Sequence, residues 1–209
     1  MNATTISELT RENGWAPLRA HLGATAFGIN AYTKNADERV VGEHAEEASG
    51  HEELYLVVSG RARFIVDGDE RDAPVGTAVL VRSGTTRSAD ALEDGTTIVV
   101  VGGRPGGVFR PRAWETNAII FPMFGEGKIE EAREILRGVV DEYEDGESID
   151  YNLACCEARL GDVEKAFEHL ERSLQGRPDL VELARGDDDL AALKSDPRFD
   201  ELVGAASAA

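Results

Sequence analysis

The sequence predicts a two-domain α+β chain, in which an all-β sandwich or barrel is followed by an all-α domain of helical repeats. Three observations carry this prediction. Short apolar runs between turn residues fill the first half, and helical hydrophobic periodicity fills the second. Part of the second half also recurs after 34 residues. A chain of 209 residues can bury a core in one large domain or in two small ones.

The predicted domain boundaries lie where the composition changes. Residues 1–24 form an N-terminal segment that we expect to pack on a β barrel of residues 25–105. Residues 106–112 are rich in Gly and Pro, which is typical of a linker. The helical repeats and a closing helix then span 113–203, and 204–209 form a tail.

The β half alternates short apolar runs with turn signals, as barrels and sandwiches do. Strands are predicted at Val40–Val41, Leu54–Val58, Ala62–Val66, Ala78–Val81 and Thr97–Val101. The run Gly60–Val81 predicts a strand, a turn at Asp67-Gly68, a loop and a second strand. Its alternating apolar positions indicate that one face of the strand is buried and the other meets water.

The second half predicts helices at Ile129–Val140, Tyr151–Leu160 and Val163–Leu174. Gly161-Asp162 predicts a tight turn between the last two helices. A proline inside a helix removes a hydrogen bond, so Pro122 is expected to shorten or bend the helix that precedes Ile129.

The repeat consists of two units of 34 residues, 113–146 and 147–180. The second unit resembles a tetratricopeptide repeat at Leu153, Ala154, Gly161, Ala166, Leu170, Leu174 and Pro178. The first unit resembles it in its second helix only, and Leu190–Val203 looks like the closing segment of such an array. This resemblance implies a module that binds a protein partner or a second copy of the chain as a homodimer.

Charge and cysteine content exclude several classes of protein. The net charge is −18, of which −14 lies in residues 113–209, and such an acidic surface repels nucleic acid and anionic membranes. The N-terminus lacks a secretory pattern, and no run of apolar residues is long enough to span a membrane. The 2 cysteines are adjacent and cannot form an ordinary disulfide. We therefore expect an acidic cytoplasmic protein.

Two motifs in the β half resemble those of the cupin family. In Gly50–Gly60, Glu53 and Gly60 keep the end of the first cupin motif. In the second, Gly76 and Gly84 match, but Arg82 and Arg87 occupy the proline and histidine positions. The resemblance implies an all-β double-stranded β-helix, the cupin jelly roll, for the barrel. Metal-binding cupins hold a divalent ion with three histidines and a glutamate, so the resemblance leaves the metal open.

Two kinds of site are compatible with these departures. In one, His44-Ala45-Glu46 replaces the missing His-x-His, and His44 and Glu46, with His51 or Glu53, bind Fe, Mn, Ni or Zn. In the other, no metal binds because Arg87 is a permanent cation that pairs with Glu53. The pocket then binds an organic acid or another polar small molecule through Arg87, His51 and Tyr55.

The charge of Arg87 favours the site without a metal. The predicted function is therefore a small-ligand-binding, non-catalytic cupin joined to a tetratricopeptide-type module for protein contact or dimerisation. The alternative is a divalent-metal-dependent cupin enzyme, a dioxygenase or isomerase that acts on a small metabolite.

Overall fold

The structure is a computed structural model that describes residues 3–140, 142–143 and 145–207. The ends of the predicted N-terminal segment and tail, residues 1–2 and 208–209, lie outside the described residues. The chain divides into two compact units, residues 1–110 and 111–209, which we call the β unit and the helical unit.

The β unit consists of antiparallel strands in two sheets. The strands are β1 (Trp15–Ala16), β2 (Gly28–Lys34), β3 (Arg39–His44), β4 (Glu52–Ser59), β5 (Arg61–Val66), β6 (Asp69–Pro74), β7 (Ala78–Val81), β8 (Arg87–Ala91) and β9 (Thr96–Gly103). One sheet has the order β1-β2-β9-β4-β7 and the other has the order β3-β8-β5-β6. Two short helices, α1 (Ile6–Leu9) and α2 (Leu18–Leu22), flank β1.

The core of the β unit joins side chains from both sheets. Along β4 the side chains alternate, so Tyr55 and Val57 are buried while Leu54 and Leu56 are exposed. The Tyr55 ring meets Phe64 of the other sheet edge-on, with ring centroids 5.6 Å apart. The remaining buried members of this core are Val40, Val41, Ala62, Ala73, Val81, Ala89, Ala91 and Ile98. Tyr55 also belongs to the candidate site, which therefore lies next to this packed two-sheet core.

The loop predicted after the Asp67-Gly68 turn is wrong, because residues 69–74 form strand β6. Asp67 and Gly68 both have positive φ, at 48° and 88°, which gives the tight hairpin that pairs β6 with β5. β6 is an edge strand whose side chains are mostly charged and exposed. Charged side chains protect sheet edges from further pairing. A strand made mostly of charged residues has no alternating apolar pattern, so the sequence did not indicate it.

The helical unit contains α3 (Ala113–Gly125), α4 (Ile129–Arg137), α5 (Glu147–Leu160), α6 (Val163–Gly176), α7 (Val181–Gly186), α8 (Ala191–Lys194) and α9 (Pro197–Ser207). Short 3-10 helices at Pro178–Leu180 and Asp188–Leu190 precede α7 and α8. The α4 helix ends at Arg137, so the prediction that it reaches Val140 is wrong; Gly138 caps it. The expected shortening of α3 at Pro122 is also wrong, because Pro122 falls in the last turn of a 13-residue helix.

The helix pairs α3–α4 and α5–α6 have matching turns and matching buried positions. Gly127 and Gly161 both adopt left-handed φ, of 74° and 85°, two residues before α4 and α6 begin. The buried positions Ala132 and Leu136 of α4 correspond to Ala166 and Leu170 of α6, 34 residues later. The sequence recurrence therefore corresponds to recurrent packing.

Cys155 and Cys156 are buried in α5 with free thiols. Burial raises the pKa of both thiols, and for Cys156 to about 12. Both cysteines therefore act as small core residues. Among the residues that the structure describes, no helix is both long and apolar enough to cross a membrane.

Candidate functional site

The candidate site brings together side chains from both sheets of the β unit. Glu53 and Tyr55 lie two residues apart on β4, so their side chains share its inward face. His44 at the end of β3 is the Cα partner of Arg87 at the start of β8. The two sheets thus place a carboxylate and a phenol opposite an imidazole and a guanidinium.

Arg87 is fully buried beside a carboxylate. Its Nη2 atom lies 3.4 Å from Oε2 of Glu53, and its Nη1 atom donates to the backbone carbonyl of His44 at 3.4 Å. The Nε and Nη2 atoms have no hydrogen-bond acceptor among the described residues. Buried donors of a charged group are normally satisfied, so Nε, which has no carboxylate beside it, is the less satisfied of the two, whereas Nη2 is within ion-pair distance of Glu53.

Glu53 contacts the other three side chains of the site, those of His44, Tyr55 and Arg87. It accepts hydrogen bonds from the Tyr55 hydroxyl and from Nε2 of His44, the latter at 3.4 Å. Burial raises the pKa of the Glu53 carboxyl. These hydrogen bonds and the charge of Arg87 together lower the pKa by more than burial raises it, so the net shift is downward. Glu53 is therefore ionised at neutral pH.

The two partners of Glu53 both hold their protons more tightly than usual. The hydrogen bond to Glu53 raises the pKa of His44, against the opposing effect of burial. Burial, and then the charge of Glu53, raise the pKa of Tyr55 far above its ordinary value. Tyr55 is thus a fixed hydrogen-bond donor, and His44 keeps its proton to a higher pH than an ordinary histidine does.

His44, Glu46 and Glu53 form a cluster that could hold a metal ion. One ligand atom from each lies within 4.8 Å of the others, and Nε2 of His44 is 3.6 Å from Oε1 of Glu46. An imidazole with two carboxylates suits Fe, Mn, Ni or Zn. The positive charge of Arg87 next to Glu53 opposes a cation at the same place.

His51, which the sequence places in either kind of site, is not part of this cluster. Its ring lies against Phe109, with the centroids 5.8 Å apart, and its backbone N–H donates to Oγ of Ser49. The contact between Ser49 and the Glu46 carboxylate, and the arginine that holds Ser49, were not predicted. The contact of Arg104 with Ser49 joins residues 55 apart, so no local pattern indicated it, whereas Ser49 and Glu46 are only three residues apart but belong to no motif.

The β unit is therefore a two-sheet antiparallel domain with a polar, charged site at one end of its core. No family model matches the sequence, and comparison with the curated proteins also gave no match.

Several solved structures are similar to the chain over part of its length. A cupin protein from Bacteroides fragilis is 17% identical over 49% of this chain and 86% of its own, with a TM-score of 0.41. A protein described as a putative sugar phosphate isomerase, from Acidithiobacillus ferrooxidans, is 19% identical over 49% of this chain and 74% of its own, with a TM-score of 0.41. KdgF from Halomonas sp. is 19% identical over 38% of this chain and 69% of its own, with a TM-score of 0.35.

Proposed function

We propose that the β unit is a cupin domain that binds a small organic acid through Arg87 and does not catalyse a reaction. The observation that supports this function best is the fully buried guanidinium of Arg87, which pairs with Glu53 and whose Nε atom has no hydrogen-bond acceptor among the described residues. A carboxylate fits this need, because its two oxygens accept two parallel hydrogen bonds from one guanidinium.

The charges of the site favour a ligand with one negative charge and at least one hydroxyl group. Arg87 and Glu53 cancel each other, and protonated His44 cancels Glu46. A dianion would meet both carboxylates, whereas a hydroxyl group can donate to Glu53. We therefore propose a small hydroxy acid as the ligand, with Tyr55 holding Glu53 in place and His51 at the margin of the site.

Isothermal titration against a panel of small hydroxy acids tests this function. We expect one member to bind, and Arg87→Ala to weaken it by about thirtyfold or more, since the variant loses a buried charged partner. Arg82→Ala is the matched control, because Arg82 is 77% exposed and pairs with Glu52 outside the cluster. Equal binding by wild type and Arg87→Ala would reject the role of Arg87.

The second candidate is a metal-dependent cupin enzyme, a dioxygenase or isomerase that acts on a small metabolite. The observation that favours it is the clustering of ligand atoms from His44, Glu46 and Glu53. Three protein ligands leave coordination positions open for water or substrate. A metal would lower the net negative charge of the two carboxylates and leave Arg87 to hold an anionic substrate.

For the helical unit we propose a tetratricopeptide-type module that contacts another protein or a second copy of the chain. Its recurrent packing supports this, as does the aromatic surface of α3, where Trp114 is 49% and Phe121 57% exposed. Exposed aromatic side chains are enriched at protein interfaces.

Light scattering over a range of concentrations tests self-association. We expect the apparent mass of the wild type to rise toward that of a dimer, and Phe121→Ser to shift this rise to higher concentration. Leu183→Ser on α7 is the control, because Leu183 is 53% exposed and lies outside α3. A strict monomer at high concentration would rule out the dimer.

A further inference from the structure

We propose that Arg104 is a positioning residue that fixes Glu46 at the site by holding the segment of residues 45–51, which we call the rim segment. This inference rests on the proposed function only in taking the site of His44, Glu46, Glu53 and Arg87 to be a binding site. Arg104 itself touches none of these side chains in the contacts described, and it acts through Ser49.

The contact between Arg104 and the rim segment is made by two donors. Nε and Nη2 of Arg104 donate to the backbone carbonyl of Ser49 at 3.0 and 2.8 Å. Ser49 is buried, with an exposed fraction of 5%. Hydrogen bonds from a charged donor are stronger than those between neutral groups, so this contact ties the rim segment to the chain beyond β9.

Ser49 in turn fixes the position of the Glu46 side chain. The hydroxyl of Ser49 contacts the Glu46 carboxylate, and the Glu46 carbonyl accepts from the backbone N–H of Gly50 at 3.0 Å. The Ser83 hydroxyl donates to the same carbonyl at 2.7 Å. Glu46 is thus fixed at its backbone and at its side chain. The side-chain contact depends on where Arg104 places Ser49.

Two glycines make room for the Arg104 side chain. Gly50 has a φ of 67°, which disfavours a side chain, and a Cβ there would lie 3.3 Å from Nε of Arg104. A Cβ at Gly107 would lie 3.1 Å from Cδ of Arg104. A side chain at either position would crowd Arg104, so the two glycines leave the space in which its guanidinium reaches Ser49.

Loss of Arg104 is therefore expected to loosen the rim segment and Glu46 while leaving the strands of the core intact. Residues that orient a ligand group typically change metal affinity by about 10- to 100-fold when they are removed. Arg110→Ala is the matched control, because it removes the same charge from an exposed position six residues later in the chain.

The first experiment measures amide hydrogen exchange of the full chain without added ligand. We expect Arg104→Ala to speed exchange in residues 46–51 by about tenfold or more. Amides of β4 and β9 should be unchanged, and Arg104→Lys should restore part of the protection. Unchanged exchange in the rim segment would overturn the proposal, whether or not the site binds anything.

The second experiment is a double-mutant cycle with Mn²⁺ as the probe, with free Mn²⁺ followed by its electron paramagnetic resonance signal. We expect Arg104→Ala to weaken Mn²⁺ binding by about tenfold in the wild type and to have no further effect in a Glu46→Gln background. Equal losses in both backgrounds would show that Arg104 does not act through Glu46, and would overturn the proposal. If the wild type binds no Mn²⁺, the metal candidate fails and the exchange experiment alone decides the role of Arg104.

Discussion

Replacing Arg87 by Met is expected to destabilise the β unit by about 3 kcal/mol, and adding Glu53→Gln is expected to restore most of that loss. The single variant leaves a largely buried carboxylate without its cation, and only His44 and Tyr55 remain to hydrogen-bond it. The double variant removes both charges. In addition, it removes a buried guanidinium whose Nε atom has no hydrogen-bond acceptor among the described residues and therefore carries a desolvation cost.

The β unit can be followed separately because the chain has 2 tryptophans, one in each unit. In a Trp114→Phe background, the buried Trp15 reports denaturant unfolding of the β unit alone. The proposed function predicts that the double variant is about as stable as this background protein but binds no hydroxy acid. A double variant as unstable as Arg87→Met would contradict the expected restoration of stability, and wild-type affinity of the double variant for the hydroxy acid would contradict a role of the pair in binding.

The strands that the sequence predicts are those with apolar side chains on an alternating face. Leu54–Val58 and Ala62–Val66 lie within β4 and β5, whose inward side chains form the core. The missed strand β8 is buried, yet its sequence is Arg-Ser-Ala-Asp-Ala. It is a strand because its backbone pairs with β3 on one side and β5 on the other. Small side chains fit there because the larger core residues come from these neighbouring strands.

The site could be predicted only where the pattern of a motif supplies a position. The sequence predicts the pairing of Arg87 with Glu53 because both lie at positions that resemble ligand positions of the cupin motifs, and the structure places them 3.4 Å apart. Arg104 belongs to no motif. Its contact with Ser49 spans 55 residues of sequence and depends on how β9 ends beside the rim segment. Such a contact follows from the tertiary fold and leaves no local pattern.

The two candidate functions predict opposite effects of pH on binding. A metal ion must displace the proton of His44, and the pKa of His44 is raised by its hydrogen bond to Glu53. Below that pKa, Mn²⁺ affinity should rise about tenfold for each pH unit and then level off above it. The pKa of Glu53 is lowered, so Glu53 stays ionised and adds no further change in this range.

An organic acid should respond in the reverse direction. Its carboxylate is attracted by protonated His44, so affinity should fall several-fold, by roughly 1 kcal/mol, as the pH rises through the pKa of His44. Titrations at a series of pH values from 5 to 8 would measure both dependences. His44→Ala should flatten either dependence, whereas His51→Ala should leave it unchanged because that ring lies against Phe109. Hydroxy-acid affinity that rises with pH would contradict the ligand site, since no group that releases a proton on anion binding is found in the described cluster.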